Sequence, residues 1–506
     1  MACVQAAASA PHPLSVQLSA SRRVAVSPLL LLAFSIAFVA IAIVKLRIHP
    51  FLVLITAAAL VGLFSPEDLV EPAERRGLVS PEIGHAKLAV ELALREFGAM
   101  VGSIGLVIVL ASIIGSCLLE SGAADRITRF NLRAMGERQA PVAMMFSAFI
   151  LSIPVFLDTV FFMLVPIAKA FRMRTGKNYV LYVMSICAGG VLTHSLVAPT
   201  PGPLLMAETL KLDLAITILA GLAFSIIPAI AGLWYSMYLN RKLDIPLREG
   251  ADGSSLEDLA EIVQRSDEQL PSLWISLAPI IAPVILISCG TIVDTIDQVR
   301  PLSTQVLQLG GFLGDKNVAL AAGALLGMLI YLRQPSTDGS KAVRVVESAI
   351  GSAGVVILIT AAGGAFGAMI RHAGVGEAIS QNVPNLGSGI VLVLLAFGLA
   401  MVLKIAQGSG TVSMITTSAI MFSLIQDQTL AELPVHPIYL FLAIGYGSMP
   451  ISWMNDSGFW IIGRMSGFTE KETLKTWTML LLVIPLVGLV QILLVSMLLP
   501  LKSLPW

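Results

Sequence analysis

Apolar residues run through the chain in blocks long enough to cross a membrane. An α-helix needs roughly 20 residues to span about 30 Å of hydrocarbon, and somewhat fewer where the bilayer is thin. Blocks near this length predict membrane spans at residues 27–44, 50–64, 98–119, 178–198, 212–238, 273–293, 316–332, 343–370, 436–452 and 475–499. The pattern therefore predicts an all-α polytopic membrane protein.

Two further apolar blocks carry polar interruptions that a simple span would not have. The first, at about 140–168, has basic clusters on both sides, within 126–138 and 169–177. Short cationic loops tend to stay cytoplasmic, so this block is expected to enter the membrane and return as a re-entrant helical hairpin. "SIPVFLDT" supplies the turn, because Pro154 cannot continue a helix. The second block, at about 387–424, is interrupted by "KIAQGSGTVSMITTS" and predicts a second hairpin.

Two spans contain residues that break helices at membrane depth. "THSLVAPTPGPLL" interrupts a discontinuous span at about 178–203, and "GYGSMPISWMNDSGFW" interrupts another at about 436–460. Unwound backbone is tolerated at that depth only where it is buried in protein or lines a wet cavity. We therefore expect both breaks to line a cavity.

These features occur twice in the same order, which indicates an internal repeat. "GSIGLVIVL" aligns with "GSAGVVILI", and the same alignment with a small insertion matches Gly122 with Gly374. If the basic clusters are cytoplasmic, the number of membrane crossings makes the span that contains "GSIGLVIVL" run inward. The span that contains "GSAGVVILI" then runs outward. Inverted repeats with discontinuous helices are typical of secondary transporters, whose substrate sites lie near the midplane.

The repeat divides the chain into four predicted segments. They are a disordered tail at 1–25, a first transmembrane repeat at 26–240, a cytoplasmic linker at 241–271 and a second repeat at 272–506. The tail lacks acidic residues and ends near an arginine pair, features that a signal peptide would share. A tail followed by the first span is the preferred interpretation, because more hydrophobic sequence follows directly.

Composition supports the membrane assignment and limits the partners. Hydrophobic residues make up 56% of the 506 residues and charged residues 13%, and the mean hydropathy is +0.86. Lys plus Arg and Asp plus Glu both number 32, so no charge excess points to nucleic acid. The four cysteines lack metal-ligand spacing. We expect the lipid bilayer and a small solute as partners, with neither a metal nor a cofactor.

The helix breaks supply the candidate binding residues. A broken helix presents free backbone N–H groups and the positive end of its dipole, which suits an anion. Hydroxyl, amide, imidazole and carboxylate side chains around the breaks fit a small carboxylated or polyhydroxylated molecule. The predicted substrate-binding residues are Asp158, Thr159, Thr193, His194, Ser195, Thr200, Gly408, Ser409, Gly410, Thr411, Asn455, Asp456 and Ser457.

Asp158 and His194 are also the predicted proton-coupling groups. A carboxylate at the membrane centre costs about 2.5 to 3.5 kcal/mol on insertion scales, so Asp158 is expected either to handle solute and protons or to cap a helix. An imidazole can titrate near neutral pH, although His194 could equally be a structural histidine.

The other candidates also have structural alternatives. Residues 455–457 could merely cap the helix that begins at "SGFW", and the glycines at 408 and 410 could serve close helix packing. Three further ionisable residues are weaker candidates, because each could lie at a helix end and reach interfacial water. They are Glu120, Lys404 and Glu208.

Four ordered motifs resemble the gluconate permease (GntP) family of proton-coupled sugar-acid symporters. They are "SIPVFLDTVFFMLVPIAKAF", "GGVLTHSLVAPTPGPLLMAE", "LKIAQGSGTVSMITT" and "NDSGFWIIGRMSGFTEKETLKTWTML", and the similarity covers nearly everything after residue 98. The resemblance implies a multi-pass carrier of the bacterial inner membrane for gluconate or a related hydroxy acid, with D-serine carried by some relatives. It also implies a transport domain that moves against an oligomerising scaffold, so we expect a homo-oligomer, with a dimer as the first guess.

Two departures from the family pattern leave the carried acid open. The chain has Ala198-Pro199-Thr200-Pro201 where the family often has PPHPGP, and Trp453-Met454 where it often has a histidine. Both changes remove an imidazole near the expected site. The carrier interpretation is unaffected.

Three alternatives to proton symport differ in mechanism. Sodium coupling through carbonyls and hydroxyls around residues 408–411 is one, and an anion channel is another. An intramembrane hydrolase would need an elbow such as GxSxG or a motif such as HExxH, which the sequence lacks. The sequence also lacks a P-loop. We therefore predict proton-coupled uptake by alternating access and no enzyme activity.

Overall fold

The computed structural model describes residues 27–46, 48–65, 84–248, 270–334, 339–375, 378, 388–425, 433–454 and 456–501. Every regular element in these ranges is a helix. The predicted tail at 1–25 and most of the predicted linker at 241–271 lie outside the described residues.

The helices of the first half follow the predicted spans closely. They are α1 (Pro28–Ala40), α2 (Pro50–Phe64), α3 (His85–Glu120), α4 (Ala123–Met135), α5 (Ala140–Leu151), α6 (Leu157–Thr175), α7 (Tyr179–Leu196), α8 (Pro201–Thr209) and α9 (Leu214–Lys242). A π-helical turn at Ile41–Lys45 extends α1. Helix α3 begins well before the apolar block because its first turns are amphipathic, with Lys87 paired to Glu91 at 3.6 Å on the polar side.

The second half of the chain is also helical in its described residues. Its helices are α10 (Leu273–Val299), α11 (Thr304–Gly314), α12 (Lys316–Leu332), α13 (Gly339–His372), α14 (Gly389–Gln407), α15 (Gly410–Ile425), α16 (Pro437–Gly447), α17 (Ser457–Ser466), α18 (Glu470–Thr473) and α19 (Met479–Leu498). A π-helical turn at Leu474–Thr478 joins α18 to α19. Helices α11 and α12 meet at a 58° bend.

Within the described residues, six helices are long and apolar enough to cross a membrane, or seven if the bent pair forms one span. Helices α7 and α8 count together as one of them, and 94% of their apolar 18-residue stretch is buried inside the protein. In α3 only 28% of the corresponding stretch is buried, so most of it faces outward. The broken helix therefore lies in the centre of the bundle, and the all-α polytopic prediction is confirmed.

Helices α5 and α6 form the first predicted hairpin. An ion pair joins Arg174, near the end of α6, to Glu137, just before α5. Residues 137 and 174 would be about 55 Å apart if the intervening chain ran as one straight helix. The ion pair therefore shows that the chain turns back, and the turn lies at residues 152–156, where the sequence places Pro154.

Helices α14 and α15 form the second hairpin. The Ser413 hydroxyl on α15 donates a hydrogen bond of 2.6 Å to the Ala400 carbonyl on α14. The two residues would be about 20 Å apart along a straight helix, so the chain reverses between them. Gly408 takes the left-handed conformation at the reversal, with φ of 76°, which a glycine adopts without steric cost.

The two halves share further features. Long helices α3 and α13 both end at a left-handed glycine, Gly122 with φ of 73° and Gly374 with φ of 72°. A hairpin, a broken helix and a long helix follow in each half, in the first half after the intervening α4. This shared order supports the repeat, while its inverted orientation in the membrane stays a prediction.

Each hairpin packs its first helix closely against the broken helix that comes after it. A Cβ added to Gly189 on α7 would overlap the Met145 carbonyl on α5, and a Cβ added to Gly447 on α16 would overlap the Phe397 carbonyl on α14. Both backbones approach closely because a glycine lies between them, which is how small residues act in membrane helix packing.

We therefore expect Gly189→Ala to lower the free energy of unfolding by about 1 to 3 kcal/mol, because the added methyl meets backbone that cannot rotate away. Gly102→Ala is the matched control, since nothing lies within 4 Å of a Cβ at that position. Thermal unfolding of both variants in detergent measures the difference. Equal midpoints for the two variants would contradict the close-packing argument.

Candidate functional site

Both hairpin turns and both helix breaks meet at one cavity of about 390 Å³. Its wall includes most of the residues that the sequence analysis selected. Those on the wall are Asp158, His194, Ser195, Gly408, Ser409, Gly410, Thr411, Asp456 and Ser457. The two halves of the chain therefore contribute to the same hollow, as expected for a site between repeats.

Three predicted residues lie off the cavity wall. The Thr193 hydroxyl donates to the Phe149 carbonyl at 2.9 Å and ties α7 to the first hairpin. The Thr200 hydroxyl donates to the Val197 carbonyl at 2.6 Å and stabilises the helix break itself. Thr159 is half-buried on α6, and Asn455 lies outside the described residues.

A buried ion pair between Lys404 and Asp456 forms one side of the cavity. The Lys404 ammonium lies 2.5 Å from Asp456 Oδ2 and donates to the Gly408 carbonyl at 2.9 Å. The two side chains are 5% and 13% exposed. A buried charge is tolerated only when it is paired and hydrogen-bonded, so each of these two residues requires the other.

The Asp456 carboxylate is held by several further donors. Its Oδ1 accepts from the Gly458 backbone N–H at 2.9 Å, which caps α17, and its Oδ2 accepts from the Ser452 hydroxyl. Ser452 in turn accepts from Trp477 Nε1 at 2.8 Å. The capping alternative for Asp456 is thus observed, and the same carboxylate also holds the cation on the cavity wall.

Asp158 lies in the first turn of α6 with its side chain on the cavity wall. Phe156 is the N-cap residue of this helix, which has no side-chain capping hydrogen bond. The helix dipole favours a negative charge at this position. Capping through a hydrogen bond therefore does not account for Asp158, and its carboxylate is available to the cavity.

His194 lies in the last turn of α7, at the helix break. Its Nδ1 is buried, and within the described part of the chain it has no hydrogen-bond partner. The imidazole packs edge-on against the Phe156 ring, with the ring centroids 6.4 Å apart. A buried polar atom without a partner is costly, which favours a ligand role for His194 over a satisfied structural one.

Lys404 was ranked below the selected residues, and three further wall residues with polar side-chain atoms were not selected from the sequence, Thr360, Ser448 and Trp477. The structural alternative for Lys404 was a place at a helix end within reach of interfacial water. Lys404 does lie in the last turn of α14, but its side chain is buried. The sequence contains a signal for its ion pair with Asp456. A lone cation inside an apolar block needs a carboxylate partner, and "NDSG" supplies one in the broken span at about 436–460. Thr360 lies on α13, Ser448 directly after α16, and Trp477 in the π-helical turn before α19. Only the packing of these segments decides which way their side chains point.

A charged cavity enclosed by broken helices and hairpins within a polytopic bundle defines a membrane transporter of the secondary type. The family model of the GntP family permease matches residues 27–498 of the chain. The chain therefore belongs to the GntP permease family.

Curated relatives agree with this assignment. The chain is 30% identical to an uncharacterized permease of Haemophilus influenzae, over 89% of this chain and 88% of that one. It is also 30% identical to a gluconate permease of Pseudomonas aeruginosa, over 90% and 95% respectively. A Gnt-II system L-idonate transporter of Escherichia coli is 26% identical over 93% and 99%. These relatives confirm the predicted class, a multi-pass permease of the inner membrane and not an enzyme.

One solved structure shares the fold. The YdaH transporter of Alcanivorax borkumensis, whose crystal structure is described as revealing an unusual topology, superimposes with a TM-score of 0.60. The match covers 92% of this chain and 100% of that one at 15% identity. At that identity the likeness concerns the arrangement of the helices alone.

Proposed function

We propose that this permease carries gluconate or a related sugar acid by proton symport, with the central cavity as its solute site. Relatives named for gluconate and L-idonate support the substrate class. The observation that carries the proposal is the Lys404 ammonium on the cavity wall. An ammonium has three N–H donors, and Asp456 and Gly408 accept from two of them.

The third donor of Lys404 is available to a solute carboxylate. Three helices also begin at the cavity, α6 at Leu157, α15 at Gly410 and α17 at Ser457. Free N–H groups and the positive dipole ends at helix N-termini favour an anion. The Asp456 carboxylate already caps α17, so in our proposal the N-termini of α6 and α15 and the Lys404 ammonium provide the carboxylate-binding wall.

Hydroxyl groups supply the remainder of a sugar-acid site. Ser409, Thr411, Ser448 and Thr360 lie on the same cavity wall and can exchange hydrogen bonds with a polyol chain. A volume of about 390 Å³ lies within the range of small-molecule pockets. The cavity therefore suits a short hydroxylated acid in both size and chemistry.

The charges on the wall support proton coupling. Lys404 and Asp456 compensate each other, which leaves the Asp158 carboxylate as a further negative charge. A bound organic anion adds another negative charge in a desolvated site, and that favours uptake of a proton, in our proposal by Asp158 or His194. Solute and proton would then enter together.

The same geometry favours a proton over a sodium ion. A sodium site at the second hairpin would need carbonyl oxygens such as that of Gly408, because hard cations take oxygen ligands. That carbonyl already accepts from the Lys404 ammonium at 2.9 Å. In our proposal the Lys404 ammonium therefore competes with a sodium ion for that carbonyl.

Two parts of the proposal concern architecture. We propose that residues 26–240 and 272–506 are inverted repeats joined by a cytoplasmic linker, and that the protein assembles as a homodimer. Mass measurement of the detergent-solubilised protein tests the dimer.

Transport in proteoliposomes tests the function. We expect labelled gluconate to accumulate when the lumen is more alkaline than the bath, and a protonophore to abolish the accumulation. Unlabelled L-idonate, D-serine and short hydroxy acids, added as competitors, rank the substrates. Accumulation that follows a sodium gradient and ignores the protonophore would overturn the coupling, and failure of every sugar acid to compete would overturn the substrate class.

A further inference from the structure

The π-helical turn at Leu474–Thr478 places two side chains on Ser452, which lies in the break between α16 and α17. Trp477 Nε1 donates to the Ser452 hydroxyl at 2.8 Å, and the Thr478 hydroxyl donates to the Ser452 carbonyl. All three residues are buried. Single π-helical turns are rare in proteins and often lie at functional sites. This turn therefore holds both the side chain and the backbone of Ser452.

The chemistry of the side chains fixes the direction of a hydrogen-bond chain that starts at Trp477. An indole N–H can only donate, and a serine hydroxyl has one proton to donate. Trp477 therefore occupies a lone pair of Ser452, and the Ser452 proton goes to Asp456 Oδ2. The same Oδ2 accepts from the Lys404 ammonium at 2.5 Å. Trp477 is thus connected to Lys404 through two intervening side chains.

Backbone strain next to Ser452 indicates that contacts with other helices impose its position. Ile451 has φ of 55°, an outlying conformation for a β-branched side chain. Such a conformation persists only where the surrounding structure holds it, and it is most frequent at functional sites. The described residues 448–454 lie outside the helices. The two hydrogen bonds from the π-helical turn are therefore contacts that hold this strained segment.

Trp477 is placed to act on both oxygens of the Asp456 carboxylate. Its ring lies beside the first turn of α17, where a Cβ added to Gly458 would be 3.7 Å from Cζ2. The Gly458 N–H donates to Asp456 Oδ1, and Ser452 donates to Oδ2. Each oxygen of the carboxylate is therefore held by a group that lies against Trp477.

We propose that Trp477 is a positioning residue for the solute site. Through Ser452 it orients the Asp456 carboxylate, and that carboxylate directs the third N–H of Lys404 toward the carboxylate of the solute. The inference rests on the proposed function, which assigns the Lys404 ammonium to the solute. Ser452 lies off the cavity wall. The affinity for the solute therefore depends on a hydrogen bond that the solute does not touch.

Trp477 also lies on the cavity wall, so a double-mutant cycle is needed to separate positioning from direct contact with the solute. Trp477→Phe keeps a ring on the wall and removes the donor to Ser452. We expect the affinity for gluconate to fall about 3- to 10-fold, the scale expected for loss of one hydrogen bond. In a Ser452→Ala background the chain is already interrupted, so the same substitution should change the affinity by less than about twofold.

Solute-dependent thermal stabilisation of the four purified proteins measures the affinities. Equal effects of Trp477→Phe in both backgrounds would overturn the positioning role, because they would assign the residue to direct contact. Ser452→Ala alone should also weaken binding. If Trp477→Phe does not fold, that single variant decides, and an unchanged affinity in Ser452→Ala would overturn the proposal.

Trp460→Phe is the matched control. Trp460 Nε1 donates to the Met454 carbonyl at 2.8 Å, so this substitution removes a hydrogen bond of the same length from the same break. Trp460 lies off the cavity wall, and its bond bypasses Ser452 and Asp456. The affinity should be unchanged. An equal loss in Trp460→Phe would overturn the proposal in favour of a general effect of the rigidity of the break.

Acetate separates this inference from the identity of the carried solute. It offers a carboxylate to Lys404 without any hydroxyl group, and chloride at the same ionic strength is the reference. Acetate should raise the unfolding midpoint of the unmodified protein above the chloride value, and Trp477→Phe should reduce that shift.

The outcomes for the two probes distinguish the two proposals. If acetate behaves as expected while no sugar acid binds, the positioning role stands and the proposed substrate fails. If gluconate binds the unmodified protein and Trp477→Phe with the same affinity, the proposed function stands and the positioning role fails. Absence of stabilisation by either carboxylate would overturn both.

Discussion

Replacing Lys404 with glutamine is expected to lower the affinity for the solute by about 30-fold or more. Removal of one partner from a buried hydrogen-bonded charge pair at a binding site costs about 2 to 5 kcal/mol. In this protein the change removes the donor proposed to meet the solute carboxylate and leaves Asp456, which is 13% exposed, without its cation. Solute-dependent thermal stabilisation of the purified variant measures the affinity, since selective binding raises the unfolding midpoint.

A double variant separates lost recognition from lost stability. Lys404→Gln alone should also destabilise the fold by about 3 to 5 kcal/mol, because it leaves an uncompensated charge in the protein interior. Lys404→Gln combined with Asp456→Asn makes both groups neutral, so the unfolding midpoint should recover substantially while the affinity for the solute stays low. Lys475→Gln, at an exposed lysine, controls for charge alone. Recovery of solute binding in the double variant would show that Lys404 is structural.

Asp158→Asn is expected to uncouple transport from the proton gradient. Asparagine keeps the shape and the hydrogen-bonding capacity of the side chain but cannot take up a proton in the relevant pH range. Solute exchange across proteoliposomes should therefore persist, while accumulation driven by a pH gradient should fall to the level set by equilibration. Exchange and accumulation should be measured on the same preparation of each variant. A lower ratio of accumulation to exchange in Asp158→Asn than in the unmodified protein would show the loss of proton coupling.

Asp213→Asn provides the matched control for this experiment. Asp213 caps α9, with Oδ1 accepting from the Ile216 N–H at 2.9 Å, and it lies off the central cavity wall. Asparagine is as good a helix cap as aspartate, so this variant should retain accumulation. Unimpaired accumulation in Asp158→Asn would remove Asp158 from proton coupling and leave His194 as the remaining predicted group.

The sequence located the hairpins and broken helices because their cause is local. Pro154 cannot continue a helix, Gly408 can take a positive φ, and basic clusters on both sides of residues 140–168 favour one membrane face. Helix α4 was missed for an equally local reason: residues 123–135 are amphipathic and basic, and they form no apolar block. Helix α11 was missed because it is short and ends at a bend that the residue composition does not predict.

The sequence by itself determined the class of the protein, the order of most of its helices and the places where they break. Each of these depends on residues that are near one another along the chain. Only the tertiary structure decided which polar groups share a cavity. Lys404 and Asp456 are far apart in sequence, and the fold of the second half brings them to 2.5 Å. Thr193 and Thr200 both belong to the selected stretch "THSLVAPTPGPLL", but their hydroxyls donate to backbone carbonyls and lie off the cavity wall. The reason is physical: a helix break fixes the local backbone, whereas the direction of a side chain depends on how distant helices pack against it.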